Sequence, residues 1–159
     1  WLKCQSKWLY LEPIFGSDEI MKQIPTEGAA FKAMDTTWRR IMREVGDRPE
    51  IIGASDILNL LEDLAAANRE LDIVEKGLND FLDTKKLAFP RFFFLSNDEL
   101  LEILSEAKDP LKVQPFMKKC FEAVQKVEFT DRVTMKTITS VEGENVPLCR
   151  EIDPAETGA

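Results

Sequence analysis

Histidine is absent from this 159-residue sequence, and tyrosine occurs only once. Without histidine, the chain can form neither a Ser-His-Asp nor a Cys-His catalytic site, and it has no imidazole to serve as a metal ligand or general base. The three cysteines, Cys4, Cys120 and Cys149, are odd in number and far apart. This pattern has no zinc-site spacing and predicts reduced thiols in an intracellular protein.

Long apolar runs and phosphate-binding loops are also missing. No run reaches the roughly 20 residues that a membrane span needs, and the start at Trp1 does not have the pattern of a signal peptide. The formal net charge of -8 argues against a nucleic-acid partner, since such proteins carry a basic face. We therefore expect no membrane or nucleic-acid partner, no catalytic residue, no metal site and no bound cofactor, in what we take to be a piece of a longer chain.

Residues 89–105 (FPRFFFLSNDELLEILS) divide the sequence into two parts. Pro90 disfavours helix at the residues before it, and the apolar run 92–95 has high strand propensity. Ser96 and Glu99 have the spacing of a capping box, which predicts a helix over residues 97–106. The run 92–95 is short enough to be either a buried strand or a connector that crosses the core. We favour the strand, so the segment predicts a short buried strand followed by a capped helix.

The residues before this segment predict helices. A first helix ends near Phe15, a short one runs to Gln23, and a longer one from Thr26 or Glu27 to Gly46 has an apolar stripe along one face. Three arginines flank this stripe, namely Arg39, Arg40 and Arg43. They form either a basic patch for an acidic partner or a solvated face with internal ion pairs. We favour the solvated face.

The longest predicted helix runs from Ser55 or Asp56 to about Lys86. Its apolar positions predict a bundle face wider than a coiled-coil seam, extending to Ile73 and Phe81. The periodic positions are Ile57, Leu61, Leu64, Leu71, Val74, Leu78 and Leu82. Gly77 lies inside this helix, where it either allows close packing or gives the helix compliance.

The residues after the capped helix predict one more helix and then strands. That helix is expected from Gln114 to about Lys126, with Pro115 in its first turn and Cys120 packed on its apolar face. From Val127 onward apolar residues alternate with polar ones, which is the pattern of β-strands. Residues 141–145 predict a hairpin turn in which Gly143 has positive φ. The hairpin needs a third strand to be stable, and residues 92–95 are the predicted partner.

The predicted fold class is mainly α with a small antiparallel β-sheet (α+β): a helical bundle followed by a short strand, two helices and a β-hairpin. The predicted parts are a bundle over residues 1–88, a helix-and-sheet part over 89–152 and a loose end over 153–159.

Several blocks of the sequence resemble the linker region of dynein heavy chains, in the same order. They are residues 7–15, 38–42, 76–79, 89–105, 108–110 with 113–115, 118–122 and 140–144. The amino acids at positions 94–98 and 118–121 resemble those of the axonemal chains more than those of the cytoplasmic chains. The sequence departs from the family at Phe116 and Met117, where related chains often carry His-Leu. The two residues here have similar bulk but lack the polar group of the histidine.

The resemblance implies a central piece of the linker, a mostly helical mechanical element that swings across the AAA+ ring as ATP turns over and so produces the power stroke along microtubules. It implies that ATP and Mg²⁺ bind elsewhere in the parent chain and that this piece is not an enzyme. The implied partners are the ring of the same heavy chain and, through the parent protein, microtubules and other dynein chains. The implied location is the cytoskeleton of the cytoplasm, in the axoneme of a cilium or flagellum.

Three residues are candidates for roles in such a linker. Gly77 is the candidate hinge, and Glu142 and Glu144 in the hairpin turn are candidate contacts with the ring, although the ordinary interpretation of both glutamates is a solvated turn. The alternative function is a passive intracellular helical scaffold for protein interactions without a motor role.

Overall fold

The computed structural model describes residues 1–106, 109–154 and 156 of the chain. The fold class is mainly α with a small antiparallel β-sheet, as predicted. The contacts between residues divide the chain into two compact units, Trp1–Phe81 and Leu82–Ala159. The boundary lies within the longest helix.

The first unit is built from helices. They are α1 (Leu2–Phe15), α2 (Asp18–Gln23), α3 (Pro25–Asp47), α4 (Ile51–Ser55) and the part of α5 (Leu60–Ala88) that precedes the boundary. The predicted helix boundaries near residues 15, 23 and 46 are therefore confirmed. Proline stands at the first position of α3, where its fixed φ fits and its missing N–H costs no hydrogen bond.

The core of the first unit lies between the apolar stripes of α1, α3 and α5. On α3 the buried members of the predicted stripe are Phe31, Met34, Trp38 and Ile41. On α5 they are Leu64, Leu71, Val74 and Leu78. The rings of Phe15 and Phe31 stack with centroids 5.1 Å apart. The prediction that Leu61 and Ile73 belong to the buried face of α5 is wrong, because both side chains are exposed. The buried stripe is therefore narrower than the sequence indicates.

The start of α5 also differs from the prediction. The helix begins at Leu60 and not at Ser55 or Asp56, since Asn59 has a φ of 59° in the left-handed region. Asparagine tolerates this conformation better than most residues, and a left-handed residue cannot continue a right-handed helix. The helix then runs for 29 residues to Ala88, two residues beyond the predicted end.

The second unit begins, after α5, with a 3-10 helix at Pro90–Phe94, followed by α6 (Asn97–Ser105) and α7 (Pro110–Cys120). The prediction of a strand at residues 92–95 is wrong. The predicted limits of α7 are wrong as well, since the helix runs from Pro110 to Cys120. The Asp109 side chain caps it by accepting from the Leu111 N–H at 3.1 Å, and Pro110, not Pro115, is the proline of its first turn. The turn predicted at residues 108–110 falls partly on residues 107 and 108, which lie outside the described residues.

The sheet is an antiparallel meander of β1 (Val124–Phe129), β2 (Met135–Ser140) and β3 (Asn145–Ile152), in that order. The third strand beside the β2–β3 hairpin is thus β1, which pairs with β2 and precedes it directly in the chain, and not residues 92–95. A strand six residues away along the chain closes a smaller loop than residues 92–95 would, and sequential strands usually pair.

Helix α7 covers one edge of this sheet. The Gln114 side chain donates to the Val127 carbonyl oxygen and accepts from the Val127 N–H at 3.0 Å. Val127 is buried beside this contact. Of the predicted loose end, the Glu156 N–H donates to the Asp153 carbonyl at 3.2 Å, and residues 155 and 157–159 lie outside the described residues.

Candidate functional site: glycine 77, the hairpin tip and the phenylalanine segment

Gly77 lies on α5 where the Glu27 side chain of α3 approaches the helix. A Cβ atom built on Gly77 would lie 2.6 Å from Glu27 Cγ and 2.9 Å from Glu27 Oε1. Both distances are shorter than a real Cβ atom tolerates, so any other residue here would displace the glutamate. The helix continues through Gly77 without interruption. The approach of Glu27 agrees with the predicted close packing at this glycine, and its role as a hinge stays a prediction.

Glu142 and Glu144 lie in the turn between β2 and β3, as predicted, and both are exposed. The turn is organised by Ser140, whose hydroxyl accepts from the N–H of Glu142 at 3.2 Å and from that of Glu144 at 3.0 Å. Gly143 has a φ of +87°, which confirms the predicted conformation. The hairpin tip is thus a shaped turn that presents two carboxylates outward.

The capping box at the start of α6 is present as predicted. Ser96 Oγ accepts from the Glu99 N–H at 3.2 Å, and Glu99 Oε2 accepts from the Ser96 N–H at 3.0 Å. Lys119 on α7 forms an ion pair with Glu99. The hydrogen bond from Lys119, followed by that from the Ser96 backbone, holds the pKa of the Glu99 carboxyl below its ordinary value. Glu99 therefore links the start of α6 to α7.

Arg91 connects the 3-10 helix to the end of α7. Its Nη1 donates to the Cys120 carbonyl oxygen at 2.9 Å, and its guanidinium lies 4.7 Å from the centroid of the Phe121 ring. Cys120 O is among the last carbonyls of α7, which have no partner within the helix, and a cation is favourable there. Nothing in the local sequence pattern indicates this contact, because the two residues are 29 positions apart.

Cys120 is buried in the small core of the second unit, as predicted for a packing residue. The core contains Leu95, Ile103, Phe116 and Cys120, with Phe92, Val113 and Phe121 packed against it. Burial raises the pKa of the Cys120 thiol and so disfavours the reactive thiolate. Cys4 is buried in the first unit, whereas Cys149 is exposed.

The three consecutive phenylalanines have different environments. Phe92 contacts the core, whereas Phe93 and Phe94 are exposed. A 3-10 helix has three residues per turn, so Phe92 and Leu95 share its inner side and the two residues between them face away. Phe89, three residues before Phe92, lies on the same side: its ring meets that of Phe92 edge-on with centroids 4.9 Å apart, and its centroid lies 6.3 Å from that of Phe121.

The predicted internal ion pairs of the arginine face are present. Arg39 Nε lies 2.8 Å from Asp35 Oδ2, and Arg40 Nη1 lies 2.9 Å from Glu44 Oε1. Arg40 also pairs with Asp63 on α5, so this face ties α3 to a neighbouring helix within the first unit.

Among residues 1–106, 109–154 and 156, no group of three histidine, cysteine or acidic side chains is arranged to hold a metal ion. In the same part of the chain, no helix combines the length and apolar character that crossing a bilayer requires.

Comparison with known proteins gives a consistent result. Residues 1–157 match the family model described as "Dynein heavy chain, N-terminal region 2". The chain is 52% identical over 156 residues to "Dynein axonemal heavy chain 3" of Mus musculus and 53% identical over 148 residues to "Dynein axonemal heavy chain 12" of Homo sapiens. It is 46% identical over 155 residues to "Dynein axonemal heavy chain 1" of Homo sapiens.

These alignments cover 98%, 93% and 98% of this chain, and 4%, 5% and 4% of the respective relatives. The chain therefore spans about one twentieth of the length of the curated relatives it matches, and the family model covers almost all of the chain. The chain belongs to the dynein heavy chain family, as part of its N-terminal region 2.

Proposed function

We propose that this region is the central part of a dynein heavy chain linker, the mechanical element that swings across the AAA+ ring and produces the ATP-driven power stroke on microtubules in cilia or flagella. The observation that carries the proposal is the match of residues 1–157 to N-terminal region 2, together with relatives that are axonemal heavy chains. The partners are then the ring of the same heavy chain and, through the parent protein, microtubules and other dynein chains. ATP and Mg²⁺ are bound elsewhere in that protein.

The length of α5 and its contacts with neighbouring helices support this role. A helix of 29 residues is about 44 Å long at 1.5 Å per residue. Over the first unit it is held laterally: its Asp72 pairs with Lys7 of α1, and its Asp63 pairs with Arg40 of α3. A long helix supported along its side resists bending better than an isolated one, which suits an element that transmits force.

The fixed shape of the hairpin tip supports its role as a contact with the ring. Ser140 and Gly143 fix the shape of the turn, so Glu142 and Glu144 are presented without a large entropy cost on binding. Two outward carboxylates favour a basic site on the ring as their partner.

The test is a distance measurement in the intact heavy chain. One fluorophore is introduced through an unnatural amino acid at Glu142, or in a parallel sample at exposed Glu62 of α5, and its partner is placed on the ring. We expect the distance from position 142 to the ring to change between nucleotide-free, ATP-bound and ADP-bound states. Comparison with position 62 reports whether the first unit moves as well.

Distances that stay the same in every nucleotide state, at both positions, would rule out a moving linker element here. The region would then be a passive helical scaffold within the heavy chain. Proper folding of each labelled protein is checked by its ATP hydrolysis rate, since neither position lies in the part of the chain proposed to bind nucleotide.

A further inference from the structure

The turn between β1 and β2 leads into a threonine with basic residues on both sides. Thr134 follows Arg132 by two positions and precedes Lys136 by two positions. Both cations are exposed, and neither forms an ion pair within the described part of the chain. Kinases select substrates partly by charge, and a kinase with an acidic cleft favours a hydroxyl that has cations near it in the sequence. Thr134 therefore has the charge pattern of a substrate for such a kinase.

The backbone of this turn is exposed and strained. Residues 131–133 form its tip, and their side chains are exposed. Val133 has a φ of 62°, in the left-handed region, where a β-branched side chain is disfavoured. An acceptor segment enters a kinase cleft in an extended form, and opening the turn would relieve the strain at Val133. The strain therefore lowers the free energy needed to present Thr134 to a kinase.

The hydroxyl of Thr134 ties this turn to the end of β3. Its Oγ1 lies 2.6 Å from Thr130 Oγ1 and donates to Glu151 Oε2 at 2.8 Å. The residue after Glu151 is Ile152, which pairs with Met135 of β2. A phosphate on Thr134 would remove the donated proton and place a charge of about −1.5 to −2 at pH 7 beside the Glu151 carboxylate. The repulsion between these like charges would loosen the end of β3.

Thr84 provides a comparison within the same chain. It is exposed and is followed by Lys85 and Lys86, but it lies inside α5. To enter a kinase cleft in an extended form, it would have to unwind that part of the helix, which breaks backbone hydrogen bonds. Thr84 thus has basic neighbours without an accessible turn, and we expect it to be a poor acceptor.

We propose that Thr134 is a phosphorylation site for an ATP-dependent serine/threonine kinase that recognises basic residues. In the transfer, Thr134 Oγ1 bonds to the γ-phosphorus of ATP while the bond from that phosphorus to the β,γ-bridging oxygen breaks. The hydroxyl proton passes to a carboxylate of the kinase, and ADP leaves. The phosphate then faces Glu151 and weakens the pairing of β2 with the end of β3. This role requires no swinging movement and is independent of the proposed linker function.

The test treats the intact heavy chain with ATP and the catalytic domain of protein kinase C, a kinase that prefers basic residues on both sides of the acceptor. We expect peptide mapping by mass spectrometry to find one added phosphoryl group on Thr134 and none on Thr84. The double variant Arg132→Gln, Lys136→Gln should lower the incorporation at Thr134 several-fold. Lys118→Gln is the matched control, because it removes an exposed cation of α7 that is far from Thr134 in the sequence. It should leave the incorporation unchanged.

Amide hydrogen exchange in the intact heavy chain measures the structural effect. After phosphorylation, the amides of β3 that bond to β2 should exchange faster than in the unmodified protein. In the Glu151→Gln variant the opposing charge is absent, so phosphorylation should accelerate their exchange less.

Three results would overturn the assignment of Thr134 as the acceptor. They are the absence of phosphate on Thr134, equal incorporation at Thr84, and incorporation at Thr134 that does not fall in the Arg132→Gln, Lys136→Gln variant. Unchanged exchange in β3 after phosphorylation would overturn the proposed effect on the sheet. None of these measurements reports movement relative to the ring, so their failure is distinguishable from failure of the swinging-linker proposal.

Discussion

At the scale of single residues, the side chain that approaches Gly77 could not be identified from the sequence, although close packing at this glycine was one of the two predicted roles. Its contact is with Glu27, fifty positions earlier in the chain, and no periodic pattern connects the two. A glycine inside a helix costs about 1 kcal/mol relative to alanine, mostly in backbone entropy. Here the missing Cβ leaves room for a glutamate side chain.

This explanation predicts that the effect of Gly77→Ala depends on Glu27. In the unmodified background the substitution should be neutral or destabilising, because the new methyl group displaces Glu27. In the Glu27→Ala background it should raise the free energy of unfolding by up to about 1 kcal/mol. Denaturant unfolding of the four proteins measures the difference.

Gly46→Ala provides the control for this cycle. Gly46 lies near the end of α3, and a Cβ built there meets nothing within 4 Å. Its effect should be the same with and without Glu27. If Gly77→Ala also had equal effects in both backgrounds, close packing would not be the reason for the glycine.

Glu99 predicts a pH dependence of stability. Its folded-state pKa is lowered from an ordinary value of 4.5, first by the hydrogen bond from Lys119 and then by the Ser96 backbone. The ionised carboxylate therefore stabilises the fold above pH 4.5, and this contribution is lost as the pH falls through the lower folded-state pKa. Thermal melts from pH 7 to about pH 3 should fall less steeply for Glu99→Gln than for the unmodified chain.

Glu102→Gln serves as the control for the pH experiment. It removes an exposed carboxylate from the same helix without touching the capping box, and its melting profile should follow that of the unmodified chain. Equal slopes for Glu99→Gln and the unmodified chain would contradict a role for Glu99 in linking α6 to α7.

At the scale of elements, the capping box and the 3-10 helix illustrate what the sequence can and cannot predict. Ser96 and Glu99 are three residues apart, so local spacing was sufficient to identify the start of α6. The run 92–95 has equally clear strand propensity, but propensity depends on available partners. The sheet takes β1 as its third strand, and Pro90 at the first position favours a tight helical turn instead.

The 3-10 helix predicts unequal roles for identical neighbouring side chains. Phe92→Ala should lower the free energy of unfolding by about 2 kcal/mol, below the roughly 3–5 of a fully buried phenylalanine because Phe92 is only partly buried. Phe94→Ala should change it by less than about 0.5 kcal/mol. Urea unfolding of the isolated chain compares the two variants.

A strand at this position would give a different result. Side chains of a strand alternate, so Phe92 and Phe94 would lie on one face and would cost similar amounts. Equal losses for the two variants would therefore contradict the 3-10 helix and favour the strand first expected from the sequence.

At the scale of the whole molecule, Gly77 also bears on the proposed motor role. If Gly77 is a compliant hinge, Gly77→Ala in the intact heavy chain should reduce stepping along microtubules, because alanine stiffens α5. Basal ATP hydrolysis should stay largely intact, because the substitution does not touch the proposed nucleotide sites. Single-molecule motility and a solution ATPase assay measure the two properties. The Glu27→Ala, Gly77→Ala double variant separates helix stiffness from packing.

The outcome for the double variant decides between the two explanations. If it steps as poorly as Gly77→Ala alone, compliance of α5 matters. If it steps normally, the defect comes from displaced Glu27. Normal stepping of Gly77→Ala itself would remove Gly77 from any account of the linker.

The contact between Gln114 and Val127 has a consequence for aggregation. Strand β1 lies at an edge of the sheet, where unpaired backbone groups are a template for strands of other molecules. The Gln114 amide occupies both backbone groups of Val127 and so imitates a neighbouring strand for one residue. On the opposite edge, Pro147 in β3 has no N–H to offer. Each edge strand therefore has one position at which the backbone cannot pair with a strand of another molecule, which limits the extension of the sheet by such a strand.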